Sequence, residues 1–305
     1  MVSMASSRFD IAVVGSLNTD MVLGVAAFPA PGETLVATRM QSGAGGKGLN
    51  QAVAAARAGA RTAMIGLVGS DERGQVLLDT LGNDGIDISA VKRVGDRPTG
   101  LATILVRDDG QNMIVVASGA NAAALPAGPI DAAICLASLE TAVEGVEAAL
   151  HGARAAGSLC LLNAAPARAE AIGLFALADL IIVNETELEG YAGASLPMVE
   201  AARSLITHEE QTIIVTLGAD GVLAVDRASS RSFAAPVVKA VDATGAGDCF
   251  CGVLAAALAR QAPLGAAIEE AIAAAALAVQ RHGAADALPY RAEIDDALAK
   301  SRLIK

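Results

Sequence analysis

The sequence predicts an α/β fold: a central, mostly parallel sheet flanked by helices, with a small inserted antiparallel β-lid. Short apolar runs of strand length alternate with amphipathic stretches over most of the chain. The runs at 11–14 and 180–183 are apolar at every position and that at 62–68 is so after Thr62, the pattern of strands covered on both faces. Two segments, about 20–41 and 98–117, break this rhythm with paired strand-like runs, the second around an Asp-Gly turn signal in 107–111.

In chain order, residues 11–15 read as the first buried strand and 47–58 as a helix. A strand at 62–68, a helix at 72–81 and a strand at 132–137 follow. Next come a helix at 141–155, a strand at 158–162, and strands at 180–183 and 212–216 with helical 198–207 between them. Runs 222–225 and 231–233 form a hairpin. Past Thr244 the chain turns helical over 245–260, 264–281 and 291–301. In the inserted segments 21–25 pairs with 34–40, and 100–106 with 112–116. No repeat or low-complexity linker interrupts the chain, so residues 1–305 read as one domain.

Composition bounds the function. Of 305 residues 53% are hydrophobic and 18% charged, which is globular rather than disordered. Mean hydropathy is +0.49. Even so, the apolar runs at 253–259 and 271–279 fall short of the roughly 20 residues that span a bilayer, so no membrane partner is expected. The run at 11–14 is too short for a secretory h-region. Cys135, Cys160, Cys249 and Cys251 are scattered as in a reducing compartment, so a cytoplasmic location is expected. A net charge of −11 opposes a nucleic-acid partner. It leaves room for a small phosphorylated molecule held by backbone N–H groups and one or two cations.

The most informative motif is Asp242-Ala243-Thr244-Gly245-Ala246-Gly247-Asp248, before a helix. Its small residues let successive N–H groups converge at a helix start, where the dipole adds positive potential for an oxyanion. Asp248 among such donors is placed to take a proton from a hydroxyl while they stabilise a transferring phosphate; an ordinary N-cap aspartate is the plain alternative. Gly43, Gly45 and Gly48 match G-x-G-x-x-G, but without the strand before and the acid after that a dinucleotide site needs. Lys47 is followed by Gly48 rather than Ser or Thr, so this is no Walker A loop either. These glycines instead let a polar ligand approach, with Lys47 and Asn50 as donors.

Asn18 and Asp20, beyond the first strand, can bracket vicinal hydroxyls or simply form an Asx turn. Asn184 to Glu187 follows another strand, where Glu187 organises Mg²⁺ or the acids merely start a helix. Thr216, Gly218 and Gly221 mark a nucleotide platform or a hairpin entry, and Glu140 can reach a sugar hydroxyl.

Together and in this order, the motifs resemble the ribokinase (PfkB-type) family of carbohydrate and nucleoside kinases, over about residues 10–300. Residues 242–248 match its D-x-x-G-A-G-D consensus without a gap, and 184–187 its N-x-x-E motif. Residues 15–20, 45–52, 119–123 and 163–168 look like the ribose branch rather than adenosine kinase or fructokinase. The resemblance implies ATP-dependent phosphorylation of D-ribose at O5, with a sibling kinase for a nucleoside, deoxyribose or a ketose as the alternative. A non-catalytic sugar-binding regulator is a further reading. It implies that Asn18, Asp20, Gly46, Lys47, Asn50 and Glu140 hold the sugar, that Asp248 is the base and that Gly245, Ala246 and Gly247 form the anion hole. It also implies that Asn184, Thr216, Gly218, Gly221 and Gly247 contact ATP, that Glu187 holds Mg²⁺ through water, and that K⁺ sits near Asp242, Thr244, Ala278, Arg281 and Gly283. A homodimer through the β-lid is implied as well. Two positions depart from the family pattern: Ala287 stands beside Asp286 where a serine hydroxyl is usual, and Ile272 where a polar residue often meets the nucleotide.

Overall fold

Strand β1 (Phe9–Val14) is apolar from Ile11 to Val14 because it lies inside a nine-stranded sheet, paired in parallel with β4 (Thr62–Gly69) on one side and β8 (Ala132–Ser138) on the other. Ile11 and Val13 enter the core on one face, Ala12 and Val14 the core on the other, as the period of 2 requires. In this computed structural model the described residues are 8–107, 109, 111–126 and 128–304, with side chains through 300. Past β8 the sheet continues in parallel through β9 (Leu159–Asn163), β10 (Leu180–Asn184) and β11 (Thr212–Thr216). It ends in antiparallel β12 (Val222–Val225) and β13 (Ser230–Phe233); at the opposite edge β5 (Asp87–Val94) pairs with β4.

On one face lie α1 (Lys47–Arg57), α2 (Glu72–Asn83), α6 (Ala246–Ala259), α7 (Leu264–Ala278) and α8 (Arg291–Ile304). On the other lie α3 (Val143–Ala155), α4 (Glu185–Ala192) and α5 (Met198–Ser204). The alanine that raises the hydropathy has a structural use here. Ala52, Ala54 and Ala55 of α1 and Ala255, Ala256 and Ala257 of α6 are all fully buried. A Cβ on Gly252 would stand 2.7 Å from the Ala54 Cβ, so the two helices pack at a spacing only small residues allow. Among the described residues no helix is long and apolar enough to cross a membrane.

The inserted segments form a second sheet in the order β3 (Arg39–Gly45), β2 (Asn18–Val25), β6 (Gly100–Arg107), β7 (Asn112–Ala117). Two antiparallel hairpins make it, as expected, joined by a parallel pairing of β2 with β6. The expected run at 34–40 is corrected: residues 34–38 are not strand, and β3 runs on to Gly45. The glycines at 43 and 45 are therefore strand residues; at Gly45 the missing side chain leaves room for the Asp20 carboxylate, whereas Gly43 faces open space. Asp108 and Gly110 of the expected turn, like residues 1–7, lie outside the described residues.

Strand β5 escapes the sequence reading, and of α4 only a helix start at 184–187 is offered by it. Strand β5 is an edge strand whose Lys92 and Arg93 conceal its pattern. Helix α4 buries only Leu188 and has little amphipathic signal to find.

Candidate active site

The carboxyl ends of β1, β8, β9, β10 and β11 share one edge of the sheet, the edge at which ligands bind in open α/β folds. The segments leaving these ends carry Ser16 to Asn18, Glu140, Asn163, Asn184 and Thr216. Close packing of α1 against α6 adds Lys47, Asn50 and Gln51 from one helix start and Asp248 from the other.

Asp248 lies in the first turn of α6 and is 7% exposed. Its Oδ2 accepts a hydrogen bond from Asn50 Nδ2 and its Oδ1 one from Gln51 Nε2, both at 3.0 Å. Burial pushes the carboxyl up; the Lys47 charge and the two amide donors pull it back, and the net shift is upward. Asp20 is pushed up to about 7 by burial and by the charges of Glu140 and Asp248. Burial works against the Lys47 ammonium, but Asp248, Glu140 and Glu187 outweigh it and raise its pKa. Lys47 thus lies among carboxylates whose charges favour its ammonium, while Asp20 and Asp248 are both held above the usual carboxylate range.

The sugar-side candidates are fitted together by backbone shape. Glu140 Oε2 accepts from Ser16 Oγ at 2.5 Å and from Lys47 N at 3.1 Å. Gly46 has φ 90°, and a Cβ there would lie 2.8 Å from Asn18 N. On Gly45 a Cβ would land on the Asp20 carboxylate. Asn121 accepts from Leu17 N (3.0 Å) and donates to Leu17 O (3.1 Å) and Asn18 Oδ1 (2.8 Å), so the Asn18 amide nitrogen is the end left for a ligand.

Gly245 enters α6 in a left-handed conformation, φ 73°. Ala246 N–H is used on Ala243 O at 3.2 Å, so the free first-turn donors are those of Gly247 and Asp248, which helix geometry leaves without an intrahelical partner. Beside this turn a groove of about 370 Å³ with mainly apolar walls is lined by Thr216, Gly218, Gly221, Ala246, Gly247 and Ile272. Asn184 is not among its lining residues. Instead Asn184 and Glu187 bond reciprocally as a capping box, Asn184 N to Glu187 Oε2 at 2.9 Å and Glu187 N to Asn184 Oδ1 at 2.8 Å. The helix-start alternative is therefore what these two side chains display. Burial raises the Glu187 carboxyl even so, with Asp248 adding to the shift.

Asp242 accepts from Thr244 N (2.9 Å), Thr244 Oγ1 (2.7 Å) and Gly283 N (3.0 Å). Burial would raise its carboxyl, but these bonds prevail and hold it below the usual carboxylate range. Val241 and Asp242 both donate to Val279 O, which brings 242–244 against 278–283. Arg281 donates its N–H to Ala278 O and turns its guanidinium to Glu293. Ala287 is buried and contributes no side-chain oxygen.

Ser16, Gln51, Asn121 and Asn163 are site residues that sequence reasoning did not single out. The signal for Gln51 was present: with Asn50 it is one of two polar residues among the apolar and small residues that α1 buries.

A parallel sheet with a buried carboxylate at a glycine-rich helix start, between a polar cluster and an apolar groove, defines a class: an α/β kinase acting on a small hydroxylated molecule. Residues 8–291 match the family described as pfkB family carbohydrate kinase, and the chain belongs to it. It is an ATP-dependent sugar kinase. A ribokinase of Haemophilus influenzae is 38% identical, with 94% of this chain and 97% of the relative covered. A deoxyribokinase of Salmonella typhi is 34% identical, with 95% and 99% covered. The structure of Arabidopsis thaliana ribokinase complexed with ribose and ATP superposes with a TM-score of 0.85 at 28% identity, covering 95% of this chain and 98% of that one.

Proposed function

We propose that the chain transfers the γ-phosphoryl group of ATP to O5 of D-ribose, with Asp248 as general base. The observation that carries this is the position of Asp248, held by Asn50 and Gln51 between the polar cluster at 16–20, 46–47 and 140 and the groove at 216–221 and 272. Asn18, Asp20, Gly46, Lys47, Asn50 and Glu140 orient the sugar, and Asp248 accepts the proton of its primary hydroxyl as the oxygen attacks phosphorus. The N–H groups at the start of α6, with those of Gly247 and Asp248 already free, bind the transferring oxygens. Because Ala246 N–H is engaged with Ala243 O, its part in this anion hole requires that bond to open.

Thr216, Gly218, Gly221 and Gly247 hold the nucleotide, with Ile272 packing on the base; Asn184 acts from outside the groove. Mg²⁺ bound to the phosphates would spread their charge, and it asks for only one or two carboxylates plus water; the half-buried Glu187 fits that demand. For a monovalent cation the donors present are the ionised Asp242 and backbone carbonyls around 278–283, a hard-oxygen set without the hydroxyl that Ala287 replaces. The small sheet acts as a lid on one domain. Its strand β7 exposes Met113, Ile114, Val115 and Val116 in a row, which supports a homodimer built there. Val115→Asp is expected to convert a dimer into a monomer of 30.4 kDa by light scattering; an unchanged mass in both proteins would remove this reading. A cytoplasmic location agrees with four free, buried cysteines.

The deoxyribokinase relative favours one second reading, 2-deoxyribose as substrate. Coupled ADP release measured over D-ribose, 2-deoxy-D-ribose, ketoses and nucleosides, with and without K⁺, separates the two. Preference for any sugar other than ribose overturns the proposal, and sugar-dependent thermal stabilisation without ADP release marks a regulator instead.

Asp20 supplies a pH test. Sugar hydroxyls that donate to Asp20 need its ionised form, whereas in the free protein its carboxyl titrates at about 7. Sugar binding is therefore expected to release about one proton at pH 6 and none at pH 9, read by calorimetry in buffers of different ionisation heat. Equal proton counts at both pH values, or an unchanged release in Asp20→Asn, would contradict the assignment.

A further inference from the structure

We infer that Gln51 and Asn163 form a positioning pair that holds Asp248 in its reactive orientation from behind, anchored on the backbone of the central sheet. The inference rests on the reading of Asp248 as the base.

The chain of bonds has one direction. Asn163, the last residue of β9, donates from Nδ2 to Ile182 O of the neighbouring strand at 3.3 Å. That bond turns its Oδ1 toward α1, where it accepts from Gln51 Nε2 at 3.0 Å. The same Gln51 nitrogen donates to Asp248 Oδ1 at 3.0 Å. Each amide is thus oriented by the next, and its flip is settled by a carbonyl that cannot move without moving the sheet.

Gln51 is fully buried and Asn163 is 7% exposed. Its burial keeps Gln51 from meeting a sugar or nucleotide entering from solvent, in contrast to the role proposed for Asn50. Gln51 Oε1 is buried without a hydrogen-bond partner. An amide kept in a core with one end unsatisfied, a costly arrangement, is understandable if the other end has a task. That task is to place one donor on one oxygen of the carboxylate. Asp248 Oδ1 is thereby fixed, and Oδ2, shared with Asn50, is the oxygen that turns to the substrate hydroxyl. The pair also favours the ionised carboxylate, since the amide can donate to it in that state.

Gln51→Met keeps the length and removes the amide. At saturating sugar and ATP, the acid limb of its kcat profile is expected to move up by about one pH unit, so that kcat falls about tenfold on the acid side of the parent's limb and recovers to within about threefold on its alkaline side. KM values for both substrates stay within about threefold. Gln51→Glu, which sets a second carboxylate beside the first, is expected to move the limb further. A Gln51→Met profile that superimposes on the parent, or a kcat lowered by one factor at every pH, overturns the inference, the latter being what a purely structural role gives. If Gln51→Met is not folded by circular dichroism, Asn163→Leu carries the same test with Gln51 in place. Turnover lost in Asp248→Asn beside an unmoved Gln51→Met profile rejects the positioning pair alone. Turnover retained in Asp248→Asn rejects the base and this inference with it.

Discussion

Replacing Asp248 by Asn is expected to lower kcat by roughly 10²–10⁴-fold, the usual loss on removing a general base, while sugar binding persists. Asn has the same shape, so α1 and α6 keep their packing. One of its ends faces a donor from Asn50 or Gln51 and loses a bond, but the buried charge also disappears, and these effects oppose one another. The melting temperature should therefore shift by only a few degrees while turnover collapses. Coupled ADP release together with a sugar-dependent thermal shift checks both halves. Turnover within threefold of the parent would leave the carboxylate without its assigned role.

Gly48→Ala is expected to cost about 10²-fold in kcat/KM without touching any group that meets substrate. A Cβ on Gly48 would lie 2.6 Å from the carbonyl carbon of Gly15 and 2.7 Å from Ser16 N. Both are backbone atoms of the segment leaving β1, held by Gly15 N to Ile65 O and by Leu49 N to Ser16 O. No rotamer relieves such a contact, so α1 must move off the strand end by nearly an ångström. Lys47, Asn50 and Gln51 move with it, away from Glu140 and Asp248, and a misplacement of about 1 Å near the chemistry costs on the order of 10²-fold. Overpacking of this kind also removes about 1–3 kcal/mol of stability, so the melting temperature falls by a few degrees. The discriminating result is the order of the effects: activity lost well below the melting temperature supports displacement, while full activity in folded protein refutes it.

Much of this architecture is written in short stretches of sequence. Continuous apolar runs announce β1, β4 and β10 because strands covered on both faces need apolar residues at every position. The glycines at 245 and 247 announce the turn into α6, since only a special backbone explains them at a helix start. Where a pattern is diluted by an exposed edge, as in β5, the same reasoning finds nothing, and where polar surface dilutes it, as in α4, it offers only a helix start at 184–187. The glycines at 43 and 45 were legible as a place of close approach, but not as strand residues of the second sheet. Their strand character comes from pairing with β2, a property of two segments and not of one.

Within the site the division is similar. By itself the sequence determined the chemical character of the loop 242–248, an acid among backbone donors at a helix start, and the candidate sugar ligands at 18, 20, 47, 50 and 140. Only the tertiary structure decided what holds the acid. Asn50 and Gln51 reach Asp248 across 198 and 197 positions of chain, and Asn163 reaches Gln51 across 112. Contacts of that span depend on how closely α1 and α6 approach, which alanines and Gly252 permit but no local pattern expresses. Consecutive residues record the shape of one turn of chain, while the orientation of a buried carboxylate is recorded in the packing of elements that meet only when the whole sheet has formed.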